Sequence, residues 1–189
     1  MKEDPTAIWL QTGYALFAAT GPDGLKVEVL ARKVGISKSS FYHHFADLEV
    51  FTRQLLRYHV GQARLLARRE AACESLDPGL ITVLLEHSTD LLFQRQLRVH
   101  RRHGLYAECL VEASGPAAEA FLALWARELP PHLTPHLLGG VFQLALENFY
   151  LQLTDATLTR EWLSAYFRQL TQLVRTLSAG GAPTLDGSG

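Results

Sequence analysis

Lys38, Ser39, Tyr42 and His43 stand at i, i+1, i+4 and i+5, a spacing that gathers them on one face of a helix. Their types suit contact with a nucleic-acid duplex. Lys38 can neutralise a phosphate or donate to guanine acceptors. Tyr42 and His43 can donate to phosphate oxygens or meet base edges and thymine methyls. Ser39 and Ser40 are short and let the backbone approach closely. The simpler alternative for the same residues is a solvated amphipathic hairpin in an ordinary helical protein.

Such a face needs elements that hold it still. Phe41 and Phe45, four residues apart, lie on the opposite side of the same helix. Before it, Val27, Leu30, Ala31 and Val34 fall at i, i+3, i+4 and i+7, the apolar stripe of a preceding helix. Gly35 suits the left-handed residue that ends a helix. Ile36 is expected to pack into the turn, Ser37 to cap the next helix, and Phe41 and Phe45 to pack on Ala31 and Val34. Two short helices joined by a tight turn form a helix-turn-helix, whose second helix enters the major groove.

On these residues the N-terminal part of the chain, to about residue 55, resembles the DNA-binding domain of the TetR/AcrR family of transcriptional regulators. The matching positions are Ala15 and Phe17, Gly24, Leu30-Ala31, Gly35-Ile36-Ser37-Lys38 and Phe41-Tyr42-His43-His44-Phe45. The resemblance implies a homodimer on a palindromic double-stranded operator and, in most members, a small effector in a larger C-terminal helical domain; a repressor is the expected form of such a regulator. It places the DNA contacts on Lys26, Ser37, Lys38, Ser39, Ser40, Tyr42, His43 and His44. Two positions depart from the family's pattern. Lys26 replaces the Thr or Ser that caps the second helix, and Leu48 stands where a lysine contacts phosphate. Asp47 remains a suitable cap for the fourth helix.

The chain has 189 residues, 48% hydrophobic and 20% charged, enough for one small and one larger domain. Its net charge of −1 conceals a gradient. Residues 25–45 carry Lys26, Arg32, Lys33 and Lys38 against Glu28 alone. Residues 51–70 carry five arginines and one glutamate, whereas from residue 71 onward twelve acids outnumber eight arginines. The potential is therefore expected to be positive at the DNA end. Cys73 and Cys109 are too few for a disulfide framework or a zinc site, and a redox pair between them is not favoured. The polar Met1–Pro5 stretch argues against a secretory signal, and no apolar run is long enough to span a membrane. A cytoplasmic protein without a membrane partner is expected.

The pattern predicts an all-α chain of about nine helices. Residues 1–50 form the three-helix DNA-binding domain, 51–178 a ligand-binding and dimerisation domain, and 179–189 a flexible tail. The first helix is expected over 8–20, with Ile8, Thr12, Ala15 and Ala19 on one face and Leu16 and Phe17 beside it. A fourth, 47–72, runs from the first domain into the second. A fifth spans 80–97, a sixth starts at Gly104 and runs to Glu112, and a seventh begins at Ser114-Gly115-Pro116 and ends before Pro130-Pro131. The eighth, 135–154, is apolar nearly all round, and the ninth, 158–178, carries a wide stripe from Trp162 to Leu177. Their width, with Gly139-Gly140, points to a homodimer through both helices, paired with their two-fold mates as a four-helix bundle.

Apolar walls with a few polar groups mark a ligand pocket within the fourth to eighth helices. Phe93, Tyr106, Phe121, Trp125, Phe142 and Phe149 could supply its walls, and His87, Glu108, Glu147 and Asn148 its polar contacts, with Glu147 and Asn148 as the best polar pair. Each has a plainer reading as core or interface. The cationic stretch Arg95 to His103 could bind an anion, but a solvated face paired with nearby acids is preferred. His100, His103 and Cys109 match no strong metal motif, so no metal and no cofactor is expected. There is no G-x-S-x-G elbow, phosphate-cradling glycine loop or HExxH, which disfavours an enzyme. The rival to a regulator is a helical interaction or ligand-sequestering protein whose helix-turn-helix no longer binds DNA.

Overall fold

The computed structural model describes residues 5–129 and 135–180. Among them are nine α-helices and no strand: α1 (Pro5–Thr20), α2 (Val27–Val34), α3 (Lys38–His44), α4 (Leu48–Ala71), α5 (Ile81–Glu86), α6 (Ser88–Val99), α7 (Gly104–Ala126), α8 (Pro135–Gln152) and α9 (Arg160–Gly180). The Pro130-Pro131 break and most of the expected tail lie outside the described residues.

The number of helices agrees with the sequence pattern, but two of them are divided differently. The single helix expected over 80–97 is two, because the backbone at His87 leaves helical geometry (φ −104°, ψ 26°). The His87 ring is tied to both Asp90 and Arg69 there. Conversely, the expected sixth and seventh helices are one, α7, with Pro116 inside it. Proline removes a backbone donor and crowds the preceding turn, at a cost of about 3 kcal/mol in a helix interior. Packing carries α7 across that defect: its pairing with α4 is the most extensive in the molecule, and Ala113 is buried.

The buried face of α1 also differs from expectation. Ile8 is 44% exposed and Ala15 and Ala19 face solvent, while Trp9, Tyr14, Leu16, Phe17 and Ala18 are buried. The larger rings remove more apolar area from water, so they determine which way the helix turns. Phe41 and Phe45 are fully buried, as predicted, but their ring partners include Trp9 and Phe51, at 5.4 Å for Trp9–Phe41 and 4.9 Å for Phe45–Phe51.

Two cores result. One joins α1, α2, α3 and the start of α4 with Phe93 and Leu97 of α6 and Cys109 of α7. The other joins the end of α4 and α5 with Leu91, the end of α7, α8 and α9. Phe93 stacks on both Tyr14 and Phe17, with ring centres 4.5 and 4.3 Å apart. The recognition-type helix is thus anchored, through α1, to the body of the protein.

Gly13 lets α1 and α4 meet. A Cβ at this position would lie 2.5 Å from Cζ of Phe51, a fully buried ring. Gly→Ala in a helix interior ordinarily gains about 1 kcal/mol. Here overpacking, worth about 1–3 kcal/mol, opposes it. Gly13→Ala is expected to lower the chemical-denaturation midpoint rather than raise it.

Candidate nucleic-acid interface and internal cavity

Local chemistry builds the interface. Gly35 adopts φ 76°, the left-handed cap, and its amide donates to Ala31 O. Ser37 caps α3, its Oγ accepting from Ser40 N at 3.3 Å. Asp47 caps α4, accepting from Val50 N at 2.8 Å. Lys26 precedes α2 without any side-chain cap, as the departure from the family pattern implied. Leu48 is half-buried against the first core. Ile36, expected to pack into the turn, is 40% exposed instead, because Gly35 ends α2 with that side chain outside the α2–α3 crossing.

With Phe41 and Phe45 buried, Lys38, Ser39, Tyr42 and His43 are exposed together, and Tyr42 is 55% exposed. Ser40 and His44 are half-buried at the edge, and Lys26 is exposed at the start of α2. One contact was not foreseen: Lys38 Nζ pairs with Glu28 Oε1 at 3.3 Å. The Glu28 carboxyl is held below the usual range by its own backbone hydrogen bond and then by Lys38. A phosphate at Lys38 must therefore compete with Glu28.

The second feature is a cavity of about 70 Å³ within the helical body, walled by α4, α5, α6, α7, α8 and α9. Of the sequence candidates, Phe121, Phe142 and Phe149 line it. Phe93 lies in the first core against His59, and Tyr106 packs on Phe17 and His103. Trp125 is fully buried and donates its Nε1 hydrogen to Thr171 at 3.1 Å. Glu147 turns to Arg101 and Arg98, and Asn148 accepts from Gln152 and Tyr166. The structure thus brings together three of the proposed wall residues and none of the proposed polar contacts.

The polar groups that do line the cavity are His59, Glu70, Gln94, Arg98 and Ser114, with Tyr150 and Tyr166. The signal that could have found Glu70 is a lone acid continuing the Ala63, Leu66, Ala67 stripe of α4. Arg98 likewise continues the Leu91, Gln94 face of α6. The expectation that the Arg95–His103 stretch is a solvated face holds for Arg101, paired with Glu147, but not for Arg98, which is 6% exposed. At the α6–α8 crossing its guanidinium lies over the Tyr150 ring, 3.9 Å from its centre.

A hydrogen-bond chain leads from the cavity to α1. Gln94 Nε2 donates to Ser114 Oγ at 2.8 Å, and Gln94 Oε1 pairs with His59 Nε2 at 2.6 Å. His59 Nδ1 shares a 2.7 Å bond with the Tyr14 hydroxyl, which donates to Asp90 Oδ1 at 2.7 Å. Asp90 Oδ2 accepts from His87 Nδ1 at 2.6 Å, while Arg69 donates to His87 Nε2 at 3.0 Å. Burial lowers His59 to about 4, so its ring is neutral at pH 7. Burial and then Asp90 push the Tyr14 hydroxyl well above its ordinary value. Among the described residues no group of three or more His, Cys, Asp or Glu is placed to hold a metal, and no helix is long and apolar enough to cross a membrane.

Comparison with known proteins agrees with this architecture. Residues 10–49 match the family described as bacterial regulatory proteins, tetR family. No curated protein matches the chain. A TetR-family transcriptional regulator from Rhodococcus sp. superposes with a TM-score of 0.57 at 19% identity, over 89% of this chain and 96% of that one. A TetR-family regulator from Mesorhizobium loti MAFF303099 gives 0.56 at 20% identity, over 94% and 98%. A transcriptional regulator from Streptomyces coelicolor A3(2) gives 0.54 at 15%, over 89% and 97%. At these identities the structural likeness shows a shared fold. Residues 10–49 thus carry the N-terminal domain of the tetR family, and the described helices share the fold of these regulators.

Glu70 offers a test of the buried polar lining. Burial raises its carboxyl to about 7, above the ordinary 4.5. A raised acid holds its proton longer in the folded than in the unfolded chain, so stability falls as pH rises from 4.5 towards 7. Glu70→Gln removes that penalty. The variant is expected to match the parent at pH 4.5 and to exceed it at pH 8 by on the order of 3 kcal/mol in urea unfolding.

Proposed function

We propose that the chain is a homodimeric, effector-responsive regulator of transcription, a repressor acting in the cytoplasm on a palindromic operator. The observation that carries this reading is the rigid presentation of Lys38, Ser39, Tyr42 and His43 on a helix whose other side, Phe41 and Phe45, is fully buried. Residues 1–50 would supply the DNA contacts, and residues 51–178 the effector site and dimer contact. Two such helices related by a two-fold axis fit successive major grooves about 34–36 Å apart, or a multiple of that. Lys38 and Tyr42 would approach the bases, with Lys26, Ser37, Ser40 and His44 towards the backbone.

Dimerisation through α8 and α9 is supported by apolar side chains left in solvent. Leu144 is 76%, Leu151 63%, Leu173 53% and Leu177 50% exposed. Leu144, Leu173 and Leu177 line one groove between the two helices with Val141 and Leu170. A Cβ at Gly139 or Gly140 would meet nothing within 4 Å, so this surface is open to a second copy. Effector response has its support in the cavity and in the chain Gln94–His59–Tyr14, which joins the cavity wall to the helix that braces α3. An effector that prefers one geometry of that wall shifts the population of DNA-competent dimers.

The second reading, a sequestering protein that has lost DNA binding, draws on one observation: Lys38 is occupied by Glu28 and Leu48 adds no cation. Selection from random duplexes at low salt separates the two. Enrichment of an inverted repeat is expected, and its absence sinks the regulator reading. On the enriched site, Lys38→Ala and Tyr42→Ala should each weaken binding about tenfold or more, with Lys38→Ala also reducing the salt slope by about 1. Both variants should sediment as the parent does.

The dimer is tested separately. The parent is expected to sediment as a dimer at micromolar concentration, and Leu144→Glu with Leu173→Glu as a monomer of unchanged helicity. A monomeric parent would refute the bundle.

A further inference from the structure

Arg98 of α6 is buried, yet its Nε and Nη1 have no hydrogen-bond partner. Its nearest acid is Glu147, with Oε1 at 3.4 Å from Nε, and Glu147 also serves Arg101, so one carboxylate answers two guanidiniums. A buried charge with unmet donors is costly, and an unpaired buried polar group calls for a physical explanation. Arg98 lines the cavity, whose remaining wall is largely apolar: Phe121, Phe142, Phe149, Phe167 and small alanines at 113, 117, 118 and 145.

Resting on the reading of this cavity as the effector site, we propose that its ligand is a small monocarboxylic acid, the carboxylate on Arg98 and the apolar body among the phenylalanine rings. The guanidinium offers two parallel donors at the spacing of a carboxylate, a match that an ammonium does not provide. The acid is singly charged because Arg98 is the one arginine or lysine among the described lining residues, so a second carboxylate would be buried without a cation. The volume, about 70 Å³, is near half of the roughly 150 Å³ cavity that admits benzene. Acetate, smaller than benzene by two heavy atoms, is the acid nearest to fitting the walls as they stand, and propanoate and butanoate enter by displacing a ring. Ala145, Tyr166 and Leu170 line both this cavity and the α8–α9 groove, so a ligand that moves them also touches the proposed dimer face.

The test is calorimetric titration of the full chain, in a buffer free of carboxylates, with propanoate, butanoate, their amides and succinate. The acids are expected to bind at least about tenfold more tightly than the amides, the difference between a charge-assisted and a neutral hydrogen-bonded pair, and succinate more weakly than butanoate. This comparison needs no variant. Arg98→Leu should erase the preference for acid over amide. Ala117→Leu, which fills the cavity and leaves Arg98 in place, should abolish binding of both acids. Equal binding of acid and amide, binding of neither, or acid binding that survives Ala117→Leu overturns the proposal. Operator affinity measured with and without butanoate is a separate readout. Acid that binds through Arg98 but leaves operator affinity unchanged supports the ligand assignment and refutes the effector role.

Discussion

Stacking of Tyr14 and Phe17 on Phe93 is the contact on which the rest of the molecule depends. A three-helix unit of this size buries too little surface to be strongly stable alone. Here α1 turns its aromatic face into α6 and α4, and the small domain shares a core with the large one. The same helix presents Trp9 to Phe41, so whatever holds α1 also holds α3. The polar face of α3 owes its rigidity to rings contributed from three other helices, α1, α4 and α6.

That anchoring has an electrostatic counterpart. Tyr14, His59, Asp90, His87 and Gln94 are polar groups in or beside the aromatic stack, and each has a hydrogen-bond partner within the set. Buried polar groups impose geometry where apolar contacts tolerate sliding, because a lost partner leaves an unsolvated donor or acceptor. The chain therefore fixes α1 relative to α4 and α6 and ends at the cavity wall. Glu70 and Arg98 break the pattern, buried in the same wall with polar atoms unmet. The contrast between satisfied and unsatisfied lining separates structural polarity from polarity available to a ligand.

Much of the DNA-facing half was legible locally. A left-handed glycine, a serine cap and a pair of phenylalanines are short-range signals, and α2 and α3 fall where they point. The breaks were less legible. Whether Pro116 ends a helix depends on what packs beside it, and the break at His87 involves partners at Arg69 and Asp90. The face of α1 was misjudged for a related reason: a helix apolar on several sides has more than one candidate stripe, and contacts with Phe51 and Phe93 select among them.

The pocket shows the limit most clearly. Aromatic residues in the large domain were recognisable as wall material, but Phe93, Tyr106 and Trp125 went to cores and Phe121, Phe142 and Phe149 to the cavity. Sequence by itself determined the all-helical class, the helix-turn-helix and the residues on its exposed face, because those follow from periodicity and capping within a few turns. Only the tertiary structure decided that Lys38 is held by Glu28, that Arg98 is buried rather than solvated, and that a polar chain joins the cavity to α1. Those outcomes depend on which helices cross and at what separation, and desolvation and pairing of charges are properties of such crossings, not of any one segment.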